Sequence, residues 1–573
     1  MCMKKIPIGV SDFREIITDE YYYIDKTLFI KEVLDSGDKI LLLPRPRRFG
    51  KTLNMSMLKY FFDCCPESGA PKTLPEDNPN KKLFDSLAIS REAKHYLDEI
   101  GQYPVISLSF KDVKEEDWEF CFKNIKKLLQ EEFLRHDYLL NGDLLKPAEK
   151  DYYKKIIDLT GDKSDYGDSL KKLLIFLNRF YNKQVVILID EYDAPVYSGF
   201  MNGYYDEIIS FMRNFLGGGL KDTDRYLKKS VITGIMRIAK ESIFSGLNNP
   251  GVYTLLAEEF NQWFGFTEEE VSVMLDDFKV SHLLDQVQFW YNGYLFGGKV
   301  IYNPWSIINF LRSQAKRFKP YWVNTSDNKI LDLLLSKEGK ELKQELEQLI
   351  HREPIEKVID ENIILKDVAV REDLLWSFLL MGGYLKQTDE RWDSGSGKFY
   401  YNLSIPNEEV KSTYTGIIDR YFTTKINNEK LEVMLKALIE GDITLFEEIL
   451  QEVILAVFSY HDLSGEPEKI YHALVAGLLV WISNTHEVKS NRESGYGRYD
   501  IMIIPKDISR IGYIIEFKSV RKAISETVEI ATQSALNQIE SKKYETELIE
   551  RGIKSFKKLA IVFSGKEVYV KEG

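Results

Sequence analysis

The sequence predicts a multidomain α/β protein, and three observations carry that prediction. Short β-branched runs alternate with longer amphipathic stretches up to about Phe264, a largely helical region follows, and a second α/β order closes the chain. The 573 residues leave room for several domains at roughly 100–200 residues each. The pattern shifts divide them into a parallel-sheet domain over 1–264, a helical, winged-helix-like or lid-like region over 265–404, and a further α/β domain over 405–573.

The first domain rests on four runs: KILLLP at 39–44, VISLSF at 105–110, VVILIDE at 185–191 and SVITGI at 230–235. Continuous apolar runs of this length suit strands buried on both faces of a parallel sheet. Next, Thr267 and Glu270 have the spacing of a capping box ahead of a helix through VSVMLDDF. Helical pattern continues through WYNGYLF, VIYNPWSIINFL, KEGKELKQELEQLIHR and LLWSFLLMGGYLKQT, and the turn around Asp393 to Gly397 predicts two flanking strands. Trp290, Tyr291, Tyr294, Tyr302 and Trp305 lie among apolar residues and are expected in the core. After Ile405 come helices to about Ile482, then the strands DIMIIP and GYIIEFKSV, a helix through LNQIESKKY and the strand KLAIVFSG.

Composition narrows the class. Hydrophobic residues at 44% and charged residues at 29% describe a globular chain and exclude collagen-like or largely disordered ones. With 77 basic and 89 acidic residues the net charge is −12, so no global field draws nucleic acid, although a local basic groove can still bind it. Cys2, Cys64, Cys65 and Cys121 form no CxxC pair and have no histidines at metal-ligand spacing, which argues against a disulfide framework and a structural zinc. The start MCMKKIPIGVSDF lacks the apolar core of a signal peptide, and the longest apolar stretch, Ala473 to Ile482, is too short to cross a bilayer. The expected location is the cytoplasm, with no membrane partner.

Strand KILLLP runs into Arg45-Pro46-Arg47-Arg48-Phe49-Gly50-Lys51-Thr52, and an amphipathic helix follows at once. In such a loop, backbone amides wrap phosphates at a helix N-terminus, a lysine neutralises the β and γ groups, and a threonine hydroxyl binds Mg²⁺. Gly50, Lys51 and Thr52 fit those roles, while Arg45 stands where the GxxxxGK[ST] pattern has its first glycine. Arg47, Arg48 and Phe49 complete the candidate nucleotide-binding loop, the arginines adding phosphate charge or facing a partner's nucleotide. VVILIDE supplies Asp190 to hold Mg²⁺ and Glu191 to orient or deprotonate the attacking water. Thr233, at the end of SVITGI, is placed to contact the γ-phosphate or that water. Arg213 and Arg237 are candidates for the cation that stabilises transferred charge. Against this stands the plain reading of a surface turn, a strand end meeting solvent and salt-bridged surface arginines.

A second constellation lies at 490–520. Asp500 opens one strand and Glu516-Phe517-Lys518 lies in the next, so a hairpin brings two carboxylates together where oxygen ligands bind Mg²⁺ or Mn²⁺. Lys518, two residues after Glu516, projects to the same face and can position water. A cross-strand salt bridge is the plain alternative. Gln538 and Tyr544, on a following helix, and Glu468, upstream, are candidate accessories, Glu468 as a further metal ligand.

At this point the chain resembles a known family. YYYIDKT, RPRRFGKT, LIDEYDAP, SIFSGLNN, WYNGYLF and YNPWS resemble the bacterial AAA-ATPase-like family, a relative of archaeal and STAND-type P-loop ATPases. SNRESGYGRYDI followed by IIEFKS resembles a PD-(D/E)XK superfamily nuclease domain, the restriction-endonuclease-like α/β fold. The resemblance implies that an arginine-rich loop is the norm, that ATP is held at Gly50, Lys51 and Thr52 with Mg²⁺ at Asp190, and that Glu191 orients water. It also implies a nuclease centre of Asp500, Glu516 and Lys518. Three functions remain open: an ATPase controlling a metal-dependent nuclease with DNA as the expected substrate; a nucleotide-switched nucleic-acid-binding or scaffold protein with an inactive nuclease fold; and a plain ATPase whose last domain is structural. A homo-oligomer is a further expectation, because AAA-type sites often lie between subunits.

Overall fold

A computed structural model describes residues 4–64, 78–237, 250–322, 345–346, 348–350, 352–362, 365, 371–414, 428–457, 475, 478–479, 482, 484–490, 493–494, 497–520 and 526–573. The chain forms two compact units, one of Met1–Ser326 with Glu356–Val410 and one of Asp327–Ile355 with Lys411–Gly573. Most of the segment 265–404 therefore shares a unit with the first sheet.

In the first unit, strands β1 (Ile40–Pro44), β2 (Val105–Ser109), β3 (Val185–Asp190), β4 (Leu227–Gly234) and β5 (Gly251–Val252) form an all-parallel sheet in the order β2-β3-β4-β1-β5. Every residue of β1 and β3 is buried, as their unbroken apolar runs require when helices cover both faces. The two-residue β5 has no counterpart among the expected strands. Register sets Pro44 beside Gly234 and Ser109 beside Asp190, so the carboxyl ends of β1 to β4 lie side by side. Open α/β sheets bind ligands at that edge.

The capping box forms as expected: the Thr267 hydroxyl accepts from the Glu270 amide at 3.3 Å and the Glu270 carboxylate accepts from the Thr267 amide at 2.8 Å, starting helix Glu268–Asp277. Helix Pro304–Arg312 begins at Asn303, whose side chain accepts from the Ser306 amide at 3.3 Å. Strands Lys386–Asp393 and Lys398–Ser404 pair antiparallel around the expected turn. One difference from the expected helical pattern is a small antiparallel sheet of Phe266–Thr267, Lys299–Tyr302 and Tyr294–Phe296, closed by a turn at Gly297 and Gly298. Most of KEGKELKQELEQLIHR lies outside the described residues.

The second unit contains a mixed sheet in the order His486–Ser490, Ile501–Pro505, Gly512–Ser519, Phe556–Ser564, Glu567–Glu572, antiparallel except for the pairing of Gly512–Ser519 with Phe556–Ser564. Side-chain alternation sorts its two faces. Ile501, Ile503, Tyr513, Ile515 and Phe517 pack with residues of helices Asn428–Glu440 and Ile443–Val457, whereas Met502, Ile504 and Ile514 pack with Ile539 of helix Val528–Lys542. Glu516 and Lys518 share the parity of Ile514 and so belong to the Val528–Lys542 face. Among the described residues, no helix is long and apolar enough to cross a membrane.

Candidate functional sites

The loop after β1 leads directly into a helix and is fixed by a glycine and a buried lysine. Gly50 takes φ +81° at the start of helix Lys51–Phe62, a conformation that an L side chain rarely adopts, and a Cβ there would meet nothing within 4 Å, so backbone geometry rather than space calls for glycine. Buried Lys51 donates from Nζ to the carbonyls of Arg45 at 3.0 Å and Pro46 at 2.9 Å. Burial pulls its pKa down, opposed by the charges of Glu191, Asp190 and Asp193.

Asp190 sits at the end of β3 with 3% exposure, and both of its oxygens are taken. Oδ2 accepts from the Thr52 hydroxyl at 2.7 Å and Oδ1 from the Thr233 hydroxyl at 2.5 Å. Burial raises its pKa and the two hydroxyl donors resist the rise. Glu191, next in the chain, adopts φ +51°, a left-handed conformation uncommon for a non-glycine residue, and its side chain is 20% exposed. Lys114 Nζ stands 3.9 Å from its Oε2.

Sequence reasoning did not single out Asp193, which proves central to this edge. Buried Asp193 accepts the amides of Ile235 at 2.7 Å and Met236 at 3.0 Å, holding the chain as it leaves β4. A Cβ on Gly234 would come within 2.7 Å of Asp193 Oδ1, so glycine permits that approach. The motif LIDEYDAP contained the residue, but only the register of β3 on β4 gives it this partner.

Arg45 does not face the loop mouth. Its guanidinium is buried beneath the loop, donating to the carbonyls of Pro44 and Tyr253 at 2.7 Å and Phe260 at 2.9 Å, and desolvation lowers its pKa to about 9. Replacing the pattern's first glycine thus ties the loop to the 253–260 segment. Phe49 is buried against Tyr294 and Phe296, with ring centroids 5.0 and 5.2 Å away, so its side chain supports the loop from behind. Arg47 lies 5.8 Å over the Tyr197 ring and Arg48 4.4 Å over the Trp305 ring. Trp322 donates from its indole to the Arg47 carbonyl at 3.1 Å. Its own amide donates to buried Glu409 at 2.7 Å, whose other oxygen accepts from the Ser306 hydroxyl at 2.7 Å. Burial pushes the Glu409 carboxyl up to about 7.

Loop residues Arg47 to Thr52 and Glu191 border a cavity of about 330 Å³, within the range of small-molecule sites, while Asp190 and Thr233 are not among its lining residues. Arg47, Arg48, Lys51, Lys114 and Glu191 give it a charged lining, Thr52 a hydroxyl, and Ile6, Val10, Trp305 and Ile308 an apolar side. Tyr291, Tyr294 and Tyr302 are core residues as expected, but Trp305 is only partly buried and lines the cavity. Among the described lining residues neither Arg213 nor Arg237 is found; Arg213 borders a separate surface hollow with Lys163 and Lys171. SIFSGLNN lies outside the described residues.

In the second unit the register Ile501 to Ile515 brings Asp500 beside Glu516, and Asp500 Oδ2 accepts from the Phe517 amide at 2.8 Å. Glu516 is 1% exposed. Its Oε1 meets the Gln538 amide and, at 3.5 Å, Lys518 Nζ, while Oε2 is buried with no hydrogen-bond partner among the described residues. Burial, and then the neighbouring Asp500 charge, push Glu516 up to about 8, with Lys518 opposing. Gln538 lies in helix Val528–Lys542; Tyr544 falls just beyond its end, buried, with its hydroxyl 3.4 Å from the Gln538 amide nitrogen. Asp500, Glu516, Lys518, Gln538 and Tyr544 are therefore one cluster. Glu468 lies outside the described residues, and among those described no group of three or more His, Cys, Asp or Glu side chains gathers at one point. An orphaned carboxylate oxygen beside a second carboxylate nevertheless fits a divalent cation, whose remaining positions water and phosphate oxygens can fill.

Comparison with known proteins gives two family matches along the chain. Residues 7–244 match the AAA-ATPase-like family, described as a predicted AAA-ATPase, and residues 466–573 match the PD-(D/E)XK nuclease superfamily. The chain joins an AAA-ATPase-like segment to a PD-(D/E)XK-like segment. An uncharacterized protein in the vnfD 5' region of Azotobacter chroococcum mcd 1 is 25% identical over 562 residues, covering 96% of this chain and 95% of its own. The β1 loop, Asp190 and Thr233 fall within the AAA-ATPase-like match, and the Asp500–Glu516–Lys518 cluster within the PD-(D/E)XK match. The two matches support ATPase-type and nuclease-type chemistry in one chain.

Proposed function

We propose that this protein binds and hydrolyses ATP in its first unit and uses the second to cleave phosphodiester bonds, DNA foremost, with nucleotide state controlling the cut. The observation that carries the reading is the orphaned Oε2 of Glu516 beside Asp500: burying an unpaired carboxylate oxygen costs about 1–3 kcal/mol or more, and a divalent cation offsets it.

In the first unit Lys51 and the loop amides bind the phosphates, Thr52 and Asp190 hold Mg²⁺, and Thr233 fixes Asp190. Glu191 accepts a proton from the attacking water. Arg48 on Trp305, with Val10 and Ile308, offers a flat apolar surface for a base. In the second unit Asp500 and Glu516 hold Mg²⁺ or Mn²⁺, which when bound supplies charge for the phosphate and lowers the pKa of water. Lys518 orients the attacking water, and Gln538 holds the Glu516 carboxylate in place.

Calorimetric titration with Mn²⁺ alone, together with cleavage assays on plasmid, linear and single-stranded DNA and on RNA, tests the reading. Wild type should bind Mn²⁺ and cut at least one DNA form, and Asp500→Ala should do neither. Folded wild type that binds ATP but takes up no Mn²⁺ and cuts nothing makes the second unit a binding module instead.

A further inference from the structure

Hydrolysis of ATP requires positive charge on the phosphoryl group as it transfers, beyond the lysine of the loop. The arginines expected for this, Arg213 and Arg237, are not among the described residues lining the cavity; Arg47 and Arg48 line it but lie over the rings of Tyr197 and Trp305, and Lys111 and Lys114 line it as well. Lys114 stands on an anchored segment. As the chain leaves β2, the Phe110 amide donates to the Asp190 carbonyl at 2.9 Å, the Val113 amide turns back to the Phe110 carbonyl at 3.0 Å, and Val113 is buried. On the other side, the Glu115 carbonyl accepts three donors: the Tyr204 hydroxyl at 2.7 Å, the Ser198 hydroxyl at 2.8 Å and the Asn202 amide at 3.2 Å. The Glu115 carboxylate also accepts from Asn124 at 2.5 Å.

Between these fixed neighbours the Lys114 side chain stays 46% exposed and reaches within 3.9 Å of Glu191. An exposed pair of that kind is worth about 0–1 kcal/mol, so the pair by itself does not account for so firmly held a segment. Lys114 lines the same cavity as Lys51, Thr52 and Glu191, with its ammonium on the Glu191 side.

We propose that Lys114 is a catalytic residue of ATP hydrolysis, the cation that joins Lys51 on the γ-phosphate and releases Glu191 as it does so. Water oxygen forms a bond to the γ-phosphorus, the bond to the β,γ-bridging oxygen breaks with its electron pair leaving on ADP, and the proton of water passes to Glu191. Lys114 stabilises the charge on the γ oxygens during that exchange. Moving onto the γ oxygens takes Lys114 away from Glu191, 3.9 Å from its ammonium, so nucleotide arrival and base release are one event. The inference rests on the reading of this cavity as an ATP site.

The test uses the full chain with Lys114→Ala and Lys114→Arg, melting temperature confirming the fold, and two readouts in Mg²⁺: ATP turnover, and calorimetric binding of ADP with and without aluminium fluoride, which mimics the phosphoryl group in transfer. Lys114→Ala should lower kcat at least tenfold with KM within threefold, and lose at least tenfold of the preference for ADP with aluminium fluoride while plain ADP affinity holds. Lys114→Arg should recover most of both. Turnover and preference within twofold of wild type overturn the proposal, as does faster turnover, which would make Lys114 a restraint on Glu191. If wild type binds ADP but turnover is too slow to measure, the aluminium fluoride preference decides alone, and its absence in wild type counts against the proposal. Wild type that binds no nucleotide overturns the ATP-site reading itself and this inference with it.

Discussion

Asp190 and Glu516 are both carboxylates sunk almost completely from water, at 3% and 1% exposure, yet their surroundings are opposite. Asp190 has a threonine hydroxyl on each oxygen, one from the phosphate-loop helix and one from β4. Glu516 has an amide and an ammonium crowded onto one oxygen and, among the described residues, no donor on the other. Burial raises the pKa of both, opposed at Asp190 by two hydroxyl donors and at Glu516 by Lys518. The first carboxylate is complete as a hydrogen-bonded unit, whereas the second keeps one oxygen without a hydrogen-bond partner among the described residues. On the proposed reading, the nucleotide site is preformed and the metal site is metal-completed.

The largest effect should follow from removing the unbalanced carboxylate. Glu516→Gln keeps the shape, and Mn²⁺ affinity should fall at least a hundredfold and cleavage about a thousandfold or more, with ATP affinity within twofold. Calorimetry and a plasmid assay read both. The converse change, Lys51→Ala, should lower ATP affinity about a hundredfold and leave Mn²⁺ binding to the second unit unchanged, as fluorescent-nucleotide and Mn²⁺ titrations would show. Loss of both ligands in either variant breaks the comparison.

Glu409 calibrates it as a third buried carboxylate, with the Trp322 amide on one oxygen and the Ser306 hydroxyl on the other. Its native pKa of about 7 lies above the ordinary value of about 4.3, so between those limits the native state holds more protons than the unfolded one. Its contribution is fully present below about pH 4 and is lost as pH rises through 7, a fall on the order of 3 kcal/mol. Denaturant melts of wild type against Glu409→Gln between pH 5 and 8 should show the variant gaining on wild type as pH rises. A constant difference would contradict the assignment. The smallest effect belongs to Thr233→Val, which bares Asp190 Oδ1 and makes that site resemble Glu516. Stability should drop by about 1–2 kcal/mol in a urea melt, and no loss would show that the hydroxyl pair is not what supports Asp190.

The sequence disclosed these regions unevenly, for physical reasons. The main strands of the first sheet were legible because strands buried on both faces must be continuously apolar, and KILLLP and VVILIDE are. The Glu516–Lys518 pairing was legible because strand parity is local and admits one outcome. The small sheet at 266–302 was overlooked in favour of helix because its strands span only two to four residues, although the Gly297-Gly298 pair carried a turn signal. Arg45, Asp193 and Lys114 could not be placed at all, since their partners lie at 253–260, 235–236 and 191, and only the folded register brings them together. Phe49 borders the cavity with the rest of the loop, and its ring also packs on Tyr294 and Phe296, contacts that only the fold supplies.

The most direct test of two coupled but separately built sites is plasmid cleavage in Mg²⁺ or Mn²⁺, with and without ATP, by wild type, Lys51→Ala and Lys518→Ala. The account predicts that wild type cuts at a rate that depends on ATP, that Lys518→Ala does not cut while still binding ATP, and that Lys51→Ala cuts at a rate ATP no longer changes. Cutting that survives Lys518→Ala, or an ATP response that survives Lys51→Ala, would contradict it.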